Sequence, residues 1–200
     1  MNALVRYAAA IYHLGPRQAA RNLFHHATRA TRDFERYTHV GSGLEWRGSA
    51  RTDFLAHAGG ARLDGRRFTA VGRTLELGDP PNWELDAPVL WLFNLHYFAW
   101  LDALPREQQR RLVIDWIERC PPSPSRPGWM PYPLSLRLRH WAKRSFDAGS
   151  WPPLESVRVF DSIEAQAECL ADTLEYHLRG NHLLESAITL KLLSACFRGP

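Results

Sequence analysis

Lysine is nearly absent from this chain. Only Lys143 and Lys191 occur among its 25 basic residues, so arginine supplies the other 23. Guanidinium forks match carboxylates, sulfates and phosphates with two parallel N–H donors; a plain compositional bias toward arginine accounts for the count equally well. Cysteine is scarce too: Cys120, Cys169 and Cys196 are odd in number, far apart and outside any CxxC pattern. That excludes a disulfide framework and a zinc site, so the three are read as buried thiols and neither metal nor cofactor is assigned. No long uninterrupted apolar run exists. The nearest approach, APVLWLFNLHYFAWLDAL from Ala87 to Leu104, carries Asn94, His96 and Asp102, which argues for a buried helix and against a membrane span. Acidic residues are missing before Asp33, which superficially suits a transit peptide. A pair of amphipathic helices broken at Gly15-Pro16 is the preferred reading. No secretory cleavage pattern follows, which by default places the chain in the cytoplasm and leaves the periplasm open. Internal repeats, low-complexity tracts and nucleic-acid-binding motifs are also lacking. A formal charge of +4 against 21 acidic residues therefore points only weakly to acidic partners, and not to nucleic acid.

Aromatic residues are abundant: eight Trp, nine Phe and six Tyr within a composition that is 45% hydrophobic, ample for a folded core. The character of the chain shifts near residue 86, so residues 1–86 are read as N-terminal helices, a Gly-rich loop and a short hairpin. In that hairpin, RRFTAVGRTLELG alternates apolar and polar residues around Gly72. Residues 87–200 are read as helical, with segments Val89–Leu104, Arg106–Arg119, Leu134–Asp147, Val159–Leu178 and His182–Phe197. The six prolines of CPPSPSRPGWMPYP predict a connection that is neither helix nor central strand. The segment from His182 is apolar almost all round and is expected to be covered on several sides.

Three stretches hold more polar chemistry than packing requires. In LWLFNLHYFAWL, Asn94, His96 and Tyr97 interrupt an apolar helix, and each must either bond a neighbouring loop or face a ligand. In GWMPYPLSLRLRHW, Trp129, Tyr132, Arg137, His140 and Trp141 combine flat apolar faces with donors, as a cleft for acidic sugars would; Arg137 and Arg139 could equally lie on a solvated helix face. In HLRGNHLLESA, Gly180 reads as the residue that ends one helix and Asn181 as the cap of the next, with Asn181 and His182 also candidates for presentation to a substrate.

Together and in this order, these stretches resemble the N-terminal region of the heparinase II/III-like polysaccharide lyases, and YHLGPRQAARNL resembles the start of members associated with bacterial exopolysaccharides. The resemblance runs from about residue 7 to the end. It implies a mainly α fold: a partial α/α toroid of helical hairpins, truncated, with the short hairpin near residues 67–77 and without the family's C-terminal β-sandwich. It places the family's Asn-His pair on Asn181 and His182 as catalytic residues, and substrate contacts on Asn94, His96, Tyr97, Trp129, Tyr132, Arg137, His140 and Trp141. The implied partner is a uronate-containing acidic polysaccharide, heparan sulfate or alginate among them, cleaved by β-elimination. Removing the C5 proton of a uronate requires that its carboxylate be neutralised, which an Asn amide and a donating His can do before a base and a tyrosine acid act. The family's tyrosine and later histidines fall beyond Pro200, so the 200-residue chain alone is expected to be inactive. His140 replaces an Asn usual before the Trp, Ser186 replaces a second Asn, and Arg179 replaces an apolar residue, which bears on substrate choice. The competing reading is a non-catalytic helical module for glycan binding or assembly; the oligomeric state is left open.

Overall fold

Proline opens most of the helices. The computed structural model describes residues 16–38, 43–46, 60–145, 151–176, 178 and 180–198. Within these, Pro16 begins α1 (Pro16–Ala30), Pro88 caps α2 (Val89–Tyr97) and Pro105 caps α3 (Arg106–Arg119). Pro131 begins α4 (Pro131–Ser145) and Pro153, after Pro152, begins α5 (Pro153–Asp172). Of the described α-helices only α6 (Asn181–Cys196) starts without one. The reason is local: the first turn of a helix needs no N–H donors, and the fixed φ of proline is already helical. This corrects the expectation that the whole of residues 120–133 lies outside helices, because Pro131, Tyr132 and Pro133 form the first turn of α4.

Around the helices sits little sheet. Strands β2 (Arg62–Asp64), β3 (Arg67–Ala70) and β4 (Arg73–Glu76) form an antiparallel meander, so the predicted hairpin has a third strand on its N-terminal side. A second pairing joins β1 (Glu45–Trp46) to β5 (Phe197–Arg198), antiparallel, with Arg198 reaching the Glu45 carboxylate at 2.7 Å. The chain is thus mostly helical with a small antiparallel sheet. The first of the paired N-terminal helices and most of the Gly-rich loop lie outside the described residues.

The β3–β4 turn is Val71-Gly72, with φ of 50° and 71°. Two positive φ values in a two-residue loop give the twist that strands require, but a β-branched residue is strained there. Val71 is also exposed, so its side chain gains little from packing. Val71→Asn is expected to raise stability by about 1 kcal/mol, read from the urea midpoint of Trp fluorescence. An unchanged or lower midpoint would remove this account of the turn.

Contrary to the expected single helix from Val89 to Leu104, α2 stops at Tyr97. Phe98 adopts φ 60°, and residues Ala99–Ala103 continue as a 3-10 turn. The break has a packing cause. It sends Phe98 and Trp100 into the core, where Phe98 stacks on Trp83 (5.6 Å between centroids) and Trp100 (5.3 Å) and meets Trp141 edge-on (5.5 Å). Trp100 Nε1 donates to Leu95 O at 3.0 Å, tying the two segments together. Aromatic pairs of this kind add roughly 0.5–1.5 kcal/mol each beyond their burial, against a cost of about 1–2 kcal/mol for one left-handed residue. Phe68 of β3 meets both Trp91 and Trp100 edge-on, which joins the sheet to the helical core.

Helix α5 begins earlier and ends earlier than the periodicity predicted. Its end is fixed at Thr173, whose hydroxyl donates back to Cys169 O at 2.5 Å. Val159, Ile163, Gln166, Leu170 and Thr173 form its buried line. At its C-terminal end, Asp172 accepts from Tyr37 Oη at 2.9 Å and lies 3.3 Å from Arg36. Helix α6 buries Leu192, Leu193 and Cys196 but is less widely covered than expected. Ser186 and Thr189 face inward against α4, with Thr189 Oγ1 donating to Ser135 O at 3.1 Å, while Leu184 and Ile188 are exposed. Small polar residues let the two helices approach, and their hydroxyls find carbonyl partners. The cysteines are free and buried as expected, with burial pushing the Cys120 and Cys169 thiols up to about 12. No helix among the described residues is long and apolar enough to cross a membrane.

Candidate functional site

The N-cap of α6 is Gly180, not Asn181. Gly180 is extended (φ −147°, ψ −168°) in the capping position and Asn181 is the first helical residue, with no side-chain cap. The preceding helix has already ended at Asp172, so Gly180 does not terminate it. The capping account of Asn181 is thereby corrected, and Asn181 is exposed.

His182, one residue on, is held on two sides. Its Nδ1 lies 3.1 Å from Glu175 Oε2, and its ring stacks on Tyr132 with centroids 4.1 Å apart and planes 19° apart. Because a carboxylate only accepts, Nδ1 carries the proton of this bond, and Nε2 of the neutral ring keeps a lone pair. Tyr97 then meets Tyr132 edge-on at 5.8 Å. Burial, and secondarily Tyr132, pushes the Tyr97 phenol up to about 12, so it stays a proton donor at neutral pH.

Tyr132, Glu175 and His182, but not Tyr97, border a cleft of about 330 Å³ also lined by His25, Arg29 and Phe93, with the proline-rich loop along one wall. Helix α1 supplies His25 and Arg29, α2 supplies Phe93, and α4 supplies Tyr132. Glu175 comes from the loop between α5 and α6. Arg29 pins the proline-rich loop by donating from Nη2 to Trp129 O at 3.1 Å and Pro124 O at 3.3 Å. Burial lowers its pKa, opposed by the nearby Cys169 and Glu175.

The remaining predicted contacts divide sharply. Five belong to the core: His96, Trp129, Arg137, His140 and Trp141 are each at most 3% exposed. Trp129 Nε1 donates to Cys120 O at 2.8 Å and its ring stacks on Trp116 at 6.0 Å. Arg137, placed on neither a solvated face nor a sugar cleft, donates from Nε to Gln166 Oε1 at 2.8 Å and from Nη1 to His96 O at 3.3 Å. His140 and Trp141 face inward from the same helix. Arg139 forms an ion pair with Glu185 of α6. Asn94 is half-buried and donates to Leu90 O of its own helix at 2.8 Å. Trp129 also borders a second cleft of about 300 Å³ with Tyr37, Trp116, Arg158, Asp161 and Ser162, which shares no lining residue with the first.

Tyr132, His182 and Tyr97 are therefore brought together, whereas Asn181 does not line the cleft. His25, Arg29 and Glu175 were not anticipated. Glu175 stands seven residues before His182, a spacing without helical meaning across a loop, and α1 reaches the site from about 150 residues away. No cluster of three or more His, Cys, Asp or Glu residues suited to a metal ion is present among the described residues. Protein-family models, curated proteins and solved structures give no significant match to the chain.

Proposed function

We propose that this chain is the N-terminal module of a heparinase II/III-like polysaccharide lyase, with α2 to α6 as the first part of an incomplete α/α toroid. On this reading the cleft binds a uronate residue of an acidic polysaccharide. The supporting observation is the Glu175-His182-Tyr132 arrangement at a cleft that also carries Arg29. A carboxylate behind one imidazole nitrogen fixes the orientation of the ring and leaves the other nitrogen to hydrogen-bond to the sugar or exchange a proton with it.

The test is ultraviolet absorbance of the unsaturated uronate product, with alginate, heparan sulfate and native exopolysaccharide as substrates. It is run on this chain and on a version extended to the full length of the family. Product from the extended protein, and its loss in His182→Ala, is the expected result. A folded extended protein that releases no product from any uronate polymer would remove the lyase reading.

One observation favours the second reading, a non-catalytic glycan-binding module. Asn181 is exposed and outside the cleft lining, so the Asn-His pair is not assembled on one wall. That reading expects saccharide binding without product, unaffected by Asn181→Ala.

A further inference from the structure

Arg29 carries charge into the cleft from a helix that no motif tied to the site. It is 8% exposed; Nη2 is committed to two carbonyls, and Nη1, shielded from water, has no partner among the described residues. Glu175 is the carboxylate that acts on Arg29, and the same group holds His182. One carboxylate thus serves two cationic or potentially cationic groups. Among the titratable lining residues, which are His25, Arg29, Tyr132, Glu175 and His182, Arg29 is the only guanidinium.

This charge arrangement points to a singly charged uronate ring as the occupant, in a polymer with one carboxylate per residue and no sulfate, with Arg29 as the residue that sets the preference. The inference rests on the proposed uronate reading and narrows it. One sugar carboxylate offsets the charge of Arg29, whose Nη1 has no hydrogen-bond partner among the described residues. A second anion on the same ring would face the Glu175 carboxylate with no second guanidinium among the described lining residues to pair it, and like charges close together in a partly desolvated cleft oppose binding strongly. The volume of about 330 Å³ is enough for one sugar ring.

The experiment is calorimetric titration of the 200-residue chain with an oligomannuronate tetrasaccharide, its carboxyl-reduced neutral counterpart and a heparan sulfate tetrasaccharide. Oligomannuronate is expected to bind at least tenfold more tightly than either of the others. Arg29→Gln is expected to weaken it by roughly 10–100-fold, while Arg29→Lys, which keeps the charge, stays within several-fold. Glu175→Gln is expected to narrow the gap between the uronate and the sulfated ligand. Circular dichroism and the thermal midpoint of each variant are measured alongside, and if Arg29→Gln is unfolded the Arg29→Lys and Glu175→Gln results decide. Tighter binding of heparan sulfate would overturn the preference. Uronate binding that depends on His182 but not on Arg29 would overturn the role of Arg29 and leave the uronate site standing. Failure of every acidic ligand to bind the folded wild-type chain would overturn this inference and the uronate reading together.

Discussion

Arg137→Ala is expected to cost about 3–5 kcal/mol of stability, the largest loss from any single truncation considered for this chain. The guanidinium is fully buried, lies 3.9 Å above the Trp116 ring and 5.7 Å from Trp141, and joins α2 to α5 through His96 O and Gln166 Oε1. Burial pulls its pKa down to about 9, so it remains charged at neutral pH at a desolvation cost that only polar acceptors and ring faces offset. Alanine would leave a cavity among three helices, strip Trp116 of its cation and leave Gln166 Oε1 without its donor. Arg137→Met separates these effects, because it fills most of the volume and removes the charge while leaving the two oxygens unpaired. Its expected cost is smaller, about 1–2 kcal/mol. Pairing it with Gln166→Leu should recover part of that loss, since the main orphaned acceptor is then gone. Urea denaturation followed by Trp fluorescence measures all four proteins. Full stability in Arg137→Ala would mean that the helices do not depend on this contact.

That residue also shows where sequence reading stops. Helical content, the buried thiols and the β3–β4 hairpin follow from periodicity, spacing and turn residues, which are local properties. Arg137 could be assigned to a solvated face or a sugar cleft because charge predicts exposure, and only the tertiary pairing with Gln166, 29 residues away, reverses that. The same holds at Phe98. A largely apolar stretch with no proline or glycine after Pro88 predicts a continuous helix, yet the gain from inserting Phe98 and Trp100 among Trp83, Trp116 and Trp141 outweighs one left-handed residue. The site divides similarly. His182 is legible because it follows a glycine at a helix start, and Tyr132 because it is an aromatic next to donors in the proline-rich stretch. Arg29 and Glu175 are not, because nothing near them in sequence marks an approach made in three dimensions by α1 and by the loop after α5.

Lowering the pH from 7 to about 4.5 is expected to destabilise the chain by roughly 2–3 kcal/mol through His96 alone. The imidazole is 2% exposed, Trp116 Nε1 donates to its Nδ1 at 3.0 Å, and Gly128 lies so close that a Cβ there would fall 2.9 Å from the same nitrogen. Nδ1 must stay unprotonated to accept from Trp116, and there is no room for the ring to turn away. Burial, and then the charge of Arg137, lowers the pKa from 6.5 to about 3, opposed by a hydrogen bond to the Trp83 backbone. Because the folded pKa lies below the unfolded one, the unfolded chain takes up a proton that the folded chain refuses. The stability is complete above about pH 6.5 and is lost as the pH falls toward 3, at about 1.4 kcal/mol per pH unit. Other groups that bind protons on unfolding would add their own acid sensitivity, so the measurement is a difference. In His96→Gln the amide can accept from Trp116 and donate toward Trp83, and it does not titrate. It is expected to be about 1–2 kcal/mol less stable at pH 7 but to lose correspondingly less between pH 7 and 4.5. Urea midpoints at the two pH values give the comparison, and equal acid losses in the two proteins would show that His96 takes up its proton in the folded state.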